Sequence, residues 1–246
     1  MQTTNEPLLT PPVVPPPPVG APRPNDPGSA SAEQAPIRGP LDAVTSILRQ
    51  PRRVMTQLHQ APSGRLAVLL LLIAIVCSLL YGVVVGTFSG DGQVGAAALK
   101  TMLVLLASAL ICLPSLYVFA CLSGAEVRPG ELAGLLAAQL ALVAVLLVGF
   151  APVAWVFGQS TESVAAMGVL HLVFGLIATG FGLRFLGNAF RQLNARSRGG
   201  LRIWMVIWVT VMLQMTTALR PLIGPADSFL PATKQFFLQH WFDCLK

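Results

Sequence analysis

The stretch "LAVLLLLIAIVCSLLYGVVVGTF", residues 66–88, contains no charged side chain. A helix that crosses a bilayer needs about 20 mostly apolar residues. A membrane strand would alternate apolar and polar positions, and this run does not. In hydrocarbon every backbone N–H and C=O must be paired inside the chain, which leaves an α-helix. Four further runs lack charge in the same way: residues 101–125, 132–161, 163–183 and 203–219. The fold expected is all-α, with five transmembrane helices at about 66–88, 97–121, 131–158, 164–187 and 201–220. Together they make a membrane domain over residues 63–224.

Composition agrees. The chain is 54% hydrophobic and only 11% charged, against about 25% charged in an average soluble domain. Its net charge of +6 follows the membrane rather than a nucleic-acid surface. Arg23, Arg38, Arg49, Arg52, Arg53 and Arg65 precede the first span, Arg128 separates spans two and three, and Arg184, Arg191, Arg196, Arg198 and Arg202 surround the link between four and five. With five spans these all fall on one side; Lys100, Arg220, Lys234 and Lys246 fall on the other. The positive-inside rule then predicts an integral inner-membrane protein with a cytoplasmic N-terminus and an outside C-terminus. No secretory signal peptide is expected, because the first apolar run is too long for one.

Ahead of the first span lie two different regions. Residues 1–40, with the block "PPVVPPPPVG", read as a disordered Pro-rich cytoplasmic tail, a spacer or a ligand for a proline-reading protein domain. Residues 41–62 read as a pair of short amphipathic interfacial helices. Leu41, Val44, Leu48, Met55 and Leu58 recur at helical steps, interrupted at Gln50–Pro51, where proline ends one helix and starts the next. Arg49, Arg52, Arg53 and Arg65 beside that apolar face suit an anionic inner leaflet, or a helix docked on the bundle. Residues 225–246 form a short aromatic tail expected at the outer interface.

Within the spans, Ser78, Gly82 and Gly86 stand four residues apart, a spacing that lets a second helix approach closely. That partner is either another helix of this chain or a second copy, in a homo-oligomer. Gly175, Ala178 and Gly182 repeat the theme in span four.

Polar residues inside spans are candidate functional groups. "QMTTALRPLIG", residues 214–224, closes the last span. Depth at 1.5 Å per residue puts Lys100, His171 and Gln214 in one outer layer, with Gln139 nearer the inner side. Thr210, Gln214 and Thr217 share a helix face that is expected to point inward, and Arg220 is expected to snorkel to the headgroups. The Lys100, His171, Gln214, Thr217 and Arg220 set is thus either a packing seam or a small-molecule or ion site.

Catalysis is not expected. No Asp lies in a span, there is no H-E-x-x-H zinc motif and no phosphate-cradling G-x-x-x-x-G-K-[ST] loop. His59, His171 and His240 fall in different environments, so no metal or cofactor is expected. Cys77, Cys112, Cys121 and Cys244 show no ligand or disulfide spacing.

Two segments carry a family resemblance. "ILRQPRRVMTQL" (47–58) resembles the cytoplasmic approach to span one of Yip1-like bacterial integral membrane proteins. "SGAEVRPGELAGLLAAQLALVAVLLVGFAPVAWVFG" (123–158) is similar to their second loop and third span. The resemblance implies a non-enzymatic membrane protein that works through protein or lipid partners. "QMTTALRPLIG" separately resembles an element of other bacterial membrane proteins, in which Trp and Phe usually hold the places of Thr217 and Leu222.

Overall fold

The structure, a computed structural model, describes residues 35–60, 64–88, 94–125, 127–161, 163–193 and 199–219. The Pro-rich tail up to residue 34, Arg220, Cys244 and the C-terminal tail lie outside the described residues. What is described is all-helical. Two short helices, α1 (Pro40–Arg49) and α2 (Pro51–His59), precede five long ones: α3 (Gly64–Thr87), α4 (Val94–Leu122), α5 (Pro129–Ser160), α6 (Val164–Gln192) and α7 (Gly199–Ala218). All five long helices are long and apolar enough to cross a membrane. The chain is a multi-pass membrane protein.

Local chemistry sets the boundaries. Pro40, Pro51 and Pro129 each open a helix, at the position where a missing N–H costs nothing. Gly124 ends α4 in the left-handed conformation, at φ 73°. Its neighbours close the helix end, with Ala125 N–H donating to Ala120 C=O at 3.2 Å and Gly124 N–H to Cys121 C=O at 3.0 Å. Ser163 caps α6 by accepting from Ala166 N–H at 3.3 Å.

Helix α5 is the central post. From Glu131 to Ala144 every residue except Ala133 is buried. A helix apolar all round belongs inside a bundle, and α3 and α6 pack along this one most closely. Helix α4 packs on α3, and α7 packs on α4 while barely touching α6. The outward faces are apolar as well. Val68, Leu72, Val76 and Leu80 make a stripe down α3, each more than half exposed. A continuous apolar stripe of that length is a lipid contact, not a water contact.

The Gly pair of span one finds its partner within the chain. A Cβ on Gly82 would sit 2.5 Å from Ala98 Cα, and one on Gly86 would sit 2.6 Å from Val94 Cα. The backbones of α3 and α4 therefore meet there, and only glycine fits. Ser78, also buried, donates its hydroxyl to Ile75 C=O at 2.9 Å.

The inward face of α7 differs from the expectation. Thr210 is exposed and returns its hydroxyl to Val206 C=O at 3.0 Å, Gln214 is half-buried and Thr217 is buried. The stripe that faces the bundle is Leu201, Trp204, Trp208, Met212, Thr217 and Leu219, so Thr217 keeps its expected place and Thr210 does not. Two indoles offer far more packing area than the Thr210 hydroxyl, and a threonine in lipid can satisfy itself on its own helix.

Replacing Gly82 with Val should push α3 off α4 and cost about 1–3 kcal/mol of overpacking strain, read as a lowered thermal midpoint of the purified protein. Gly149→Ala, where a Cβ meets nothing within 4 Å, should leave the midpoint unchanged. Equal effects of the two would contradict this packing.

Candidate functional site

Two places gather polar chemistry: the α1–α2 elbow at one end of the bundle, and a set of side chains within the membrane-spanning part.

The elbow is built around Arg53. Its guanidinium meets both oxygens of Asp42, with Nη1 donating to Oδ1 at 3.0 Å and Nη2 to Oδ2 at 3.2 Å. It also donates to Ser46 Oγ at 3.1 Å, Ala35 C=O at 3.0 Å and Pro36 C=O at 3.4 Å. Gln57 adds a second tie, its Nε2 donating to Ala35 C=O at 2.5 Å and its Oε1 accepting from Ile37 N–H at 3.1 Å. Residues 35–37, α1 and α2 are thereby fastened into one piece. Planar, two-pronged geometry of this kind is what arginine supplies and lysine does not. Arg53, read in the sequence with the membrane-facing cations, is instead an internal clamp, and its side chain is only 13% exposed. Arg49, Arg52 and Arg65 remain exposed.

Burial tends to raise the Asp42 carboxyl, but hydrogen bonds from Arg38 N–H, Arg53 and Ser46, together with the Arg53 charge, outweigh it and hold the group below its usual value.

The elbow docks on the bundle by its apolar face. Ala43, Ile47, Val54, Met55 and Leu58 are buried in the main core. Leu58 fills a notch in α5: a Cβ on Gly134 would lie 2.9 Å from Leu58 Cδ2 and 3.5 Å from the Ala67 methyl of α3. One residue on, His59 Nδ1 meets Glu131 Oε1 at 2.5 Å, at the start of α5. The opposite face of α1 is bare, with Leu41 82% and Leu48 46% exposed.

Inside the spans, His171 lies on a seam between α6 and α3, and Lys100 and Gln214 lie on α4 and α7, which pack together. His171 Nδ1 hydrogen-bonds the Tyr81 hydroxyl at 2.7 Å, tying α6 to α3, with the two rings edge to face at 5.6 Å. Lys100 is buried on α4, one turn from Val104, and Val104 packs with Met212 and Leu219 of α7. Gln214 and Thr217 lie on α7, which packs on α4. Depth gave these side chains a common level but said nothing about their position around the bundle.

The structure adds residues that the sequence reading passed over. Trp204 and Trp208 are fully buried and tilted against each other at 5.5 Å. The Trp204 indole donates to Cys112 C=O at 3.1 Å and approaches Ser115 Oγ at 3.2 Å. It thus staples α7 to the turn of α4 that holds Pro114, where the helix ladder lacks an N–H. Gln139 is also fully buried, against Gly182 of α6. Tyr81 is marked in the sequence as the one phenol in span one; Trp204 and Trp208 sit among the apolar residues of span five with no local mark of their partners.

Among the described residues no group of three or more His, Cys, Asp or Glu side chains could hold a metal. Cys77, Cys112 and Cys121 are free thiols. No family model, curated protein or solved structure matches the chain.

Three outcomes follow. Arg53→Ala should cost the elbow about 1–3 kcal/mol, the usual value of hydrogen bonds to a charged group, seen as faster hydrogen exchange over residues 41–58; unchanged exchange would contradict the clamp. Because the Asp42 carboxyl is held low, its contribution is complete above its unfolded value of about 3.9 and disappears as pH falls through the folded one. Protection factors over 41–58 should be flat from pH 7 to about 5 and collapse below about 4. Tyr81→Phe, which strips His171 Nδ1 of its partner, should cost about 0.5–2 kcal/mol in thermal unfolding. Its midpoint should fall below that of Tyr117→Phe, a change at an exposed phenol.

Proposed function

We propose that this chain is a non-enzymatic scaffold of the inner membrane, of the Yip1-like kind, acting through protein or lipid partners. The observation that carries the reading is the elbow. A helix pair that served only as a leader into the first span would have no need of an arginine clamp, a glycine notch and a hydrogen bond from His59 to Glu131 of the central helix. Those contacts fix a rigid platform at one end of the bundle, with Leu41, Leu48, Arg49 and Arg52 turned outward. An ordered surface of apolar and cationic groups fits docking to a partner or to anionic headgroups.

Arginine asymmetry supports an orientation with the elbow in the cytoplasm. The Pro-rich residues 1–34 then belong to the same compartment, where they serve as a tether or as a second binding element.

One observation favours a second reading, a small transporter or channel subunit. His171 and Lys100 are ionisable groups within the spans, and such groups are candidate functional residues by default. On that reading His171→Ala should abolish pH- or solute-dependent flux in proteoliposomes while the protein inserts normally.

The scaffold reading predicts that crosslinking in native membranes traps a partner with the intact chain and loses it when residues 1–60 are removed, with the five spans still inserted. The quadruple change Leu41→Asp, Leu48→Asp, Arg49→Glu and Arg52→Glu should reproduce the loss, because the clamp and notch are untouched. Identical crosslinked products from all three forms would contradict the platform.

A further inference from the structure

Among the described residues, two helices, α5 and α7, bring buried polar atoms without hydrogen-bond partners to one depth of the bundle. Gln139 Nε2 and Oε1 and Trp208 Nε1 are buried and have no partner. Both residues are 0% exposed. Gln139 lies ten residues in from Pro129 at the start of α5, and Trp208 nine residues in from Gly199 at the start of α7. At 1.5 Å per residue both sit about 15 Å from the elbow end, well inside the hydrocarbon.

Contacts link them through α6. Gln139 packs on Gly182, where a Cβ would come 3.1 Å from Gln139 Cγ. One turn along α6, the buried Thr179 hydroxyl donates to Met212 Sδ at 3.2 Å. Met212 in turn lies one turn beyond Trp208 on the inward face of α7. Around this seam α6 and α7 touch chiefly through flexible methionines: a Cβ on Gly187 would meet Met205 Cε at 3.3 Å, and one on Gly175 would meet Met212 Cε at 3.9 Å. Long thioether side chains that lean on glycines can yield to a small guest.

A buried amide is costly when nothing pairs with it, and here an amide and an indole N–H occur at one depth. Between them they offer two donor atoms and one acceptor atom; the nearest formal charge on α6, Arg184, stands two residues from Gly182 and is turned outward, exposed. A cation would find one carbonyl oxygen only, and an anion would have no counter-charge. A neutral molecule that both donates and accepts matches the set.

We propose that the seam between α5, α6 and α7 at mid-depth binds a small neutral hydroxylic molecule, water or a solute of glycerol size, on the Gln139 amide and the Trp208 indole N–H. The site is independent of the scaffold reading and lies away from the elbow.

The test uses the full chain in nanodiscs with all four tryptophans replaced biosynthetically by 5-fluorotryptophan. The Trp208 resonance is assigned through Trp208→Phe. In fluorine NMR that resonance should shift between H2O and D2O buffers, and the shift should fall by at least half in Gln139→Leu. The Trp204 resonance, whose indole is already bonded to Cys112, should stay in place. A further displacement on adding glycerol identifies a solute as the guest; no displacement identifies water, and the site stands in both cases. A Trp208 resonance indifferent to D2O would overturn the proposal, as would a shift kept in full in Gln139→Leu. If Gln139→Leu fails to insert, Gln139→Met serves in its place, and the wild-type D2O comparison needs no variant.

Discussion

Lipid offers the backbone no hydrogen bonds, and the whole structure follows from that constraint. Each span must be helical from end to end, so the chain has only side-chain packing with which to choose among arrangements of five rods. The choice centres on α5. From Leu132 to Ala144 it is alanine, leucine, glycine and valine with a single amide, and α3 and α6 lie close on different sides. Its second half turns outward, with Trp155, Val156 and Phe157 exposed. One helix is thus a core at one end of the molecule and a lipid surface at the other, and the elbow docks where it is a core.

Polar side chains in the spans obey the same constraint. Thr101, Ser108, Ser115, Thr210, Thr216 and Thr217 all return their hydroxyls to carbonyls three or four residues back. None of these bonds specifies a neighbour. Specificity between helices comes from fewer contacts: Gly82 and Gly86 against α4, Tyr81 with His171, and Trp204 with Cys112. Each joins groups that hydrocarbon alone would leave badly matched, either by shape or by an unpaired polar atom.

The sequence makes the helices legible because their signals are local. Charge-free runs mark the five spans to within about five residues at each end. The largest difference is at the end of α6, which continues to Gln192 beyond the expected 187, carrying Arg184 with it. Pro51 marks the elbow. What the sequence does not encode locally is azimuth. Lys100, His171 and Gln214 share a depth, yet His171 faces α3 while α7 keeps to α4. Arg53 looks like its neighbours Arg49 and Arg52 until Asp42 and residues 35–37 are brought round to it. Gln139 reads as a lone amide until Gly182 seats it against α6, and Trp204 is one apolar residue among many in span five until Cys112 of α4 is brought to its indole. In each case the missing information is which helix lies next to which.

An odd number of crossings must place the elbow and the α5–α6 turn on opposite faces of the bilayer. In a cysteine-free background, Thr45→Cys and Ser160→Cys report these two ends through a membrane-impermeant maleimide applied to intact spheroplasts and then to lysed ones. The account predicts that Ser160→Cys reacts before lysis and Thr45→Cys only after it. Reaction of both positions from the same side would mean that the chain does not cross as described.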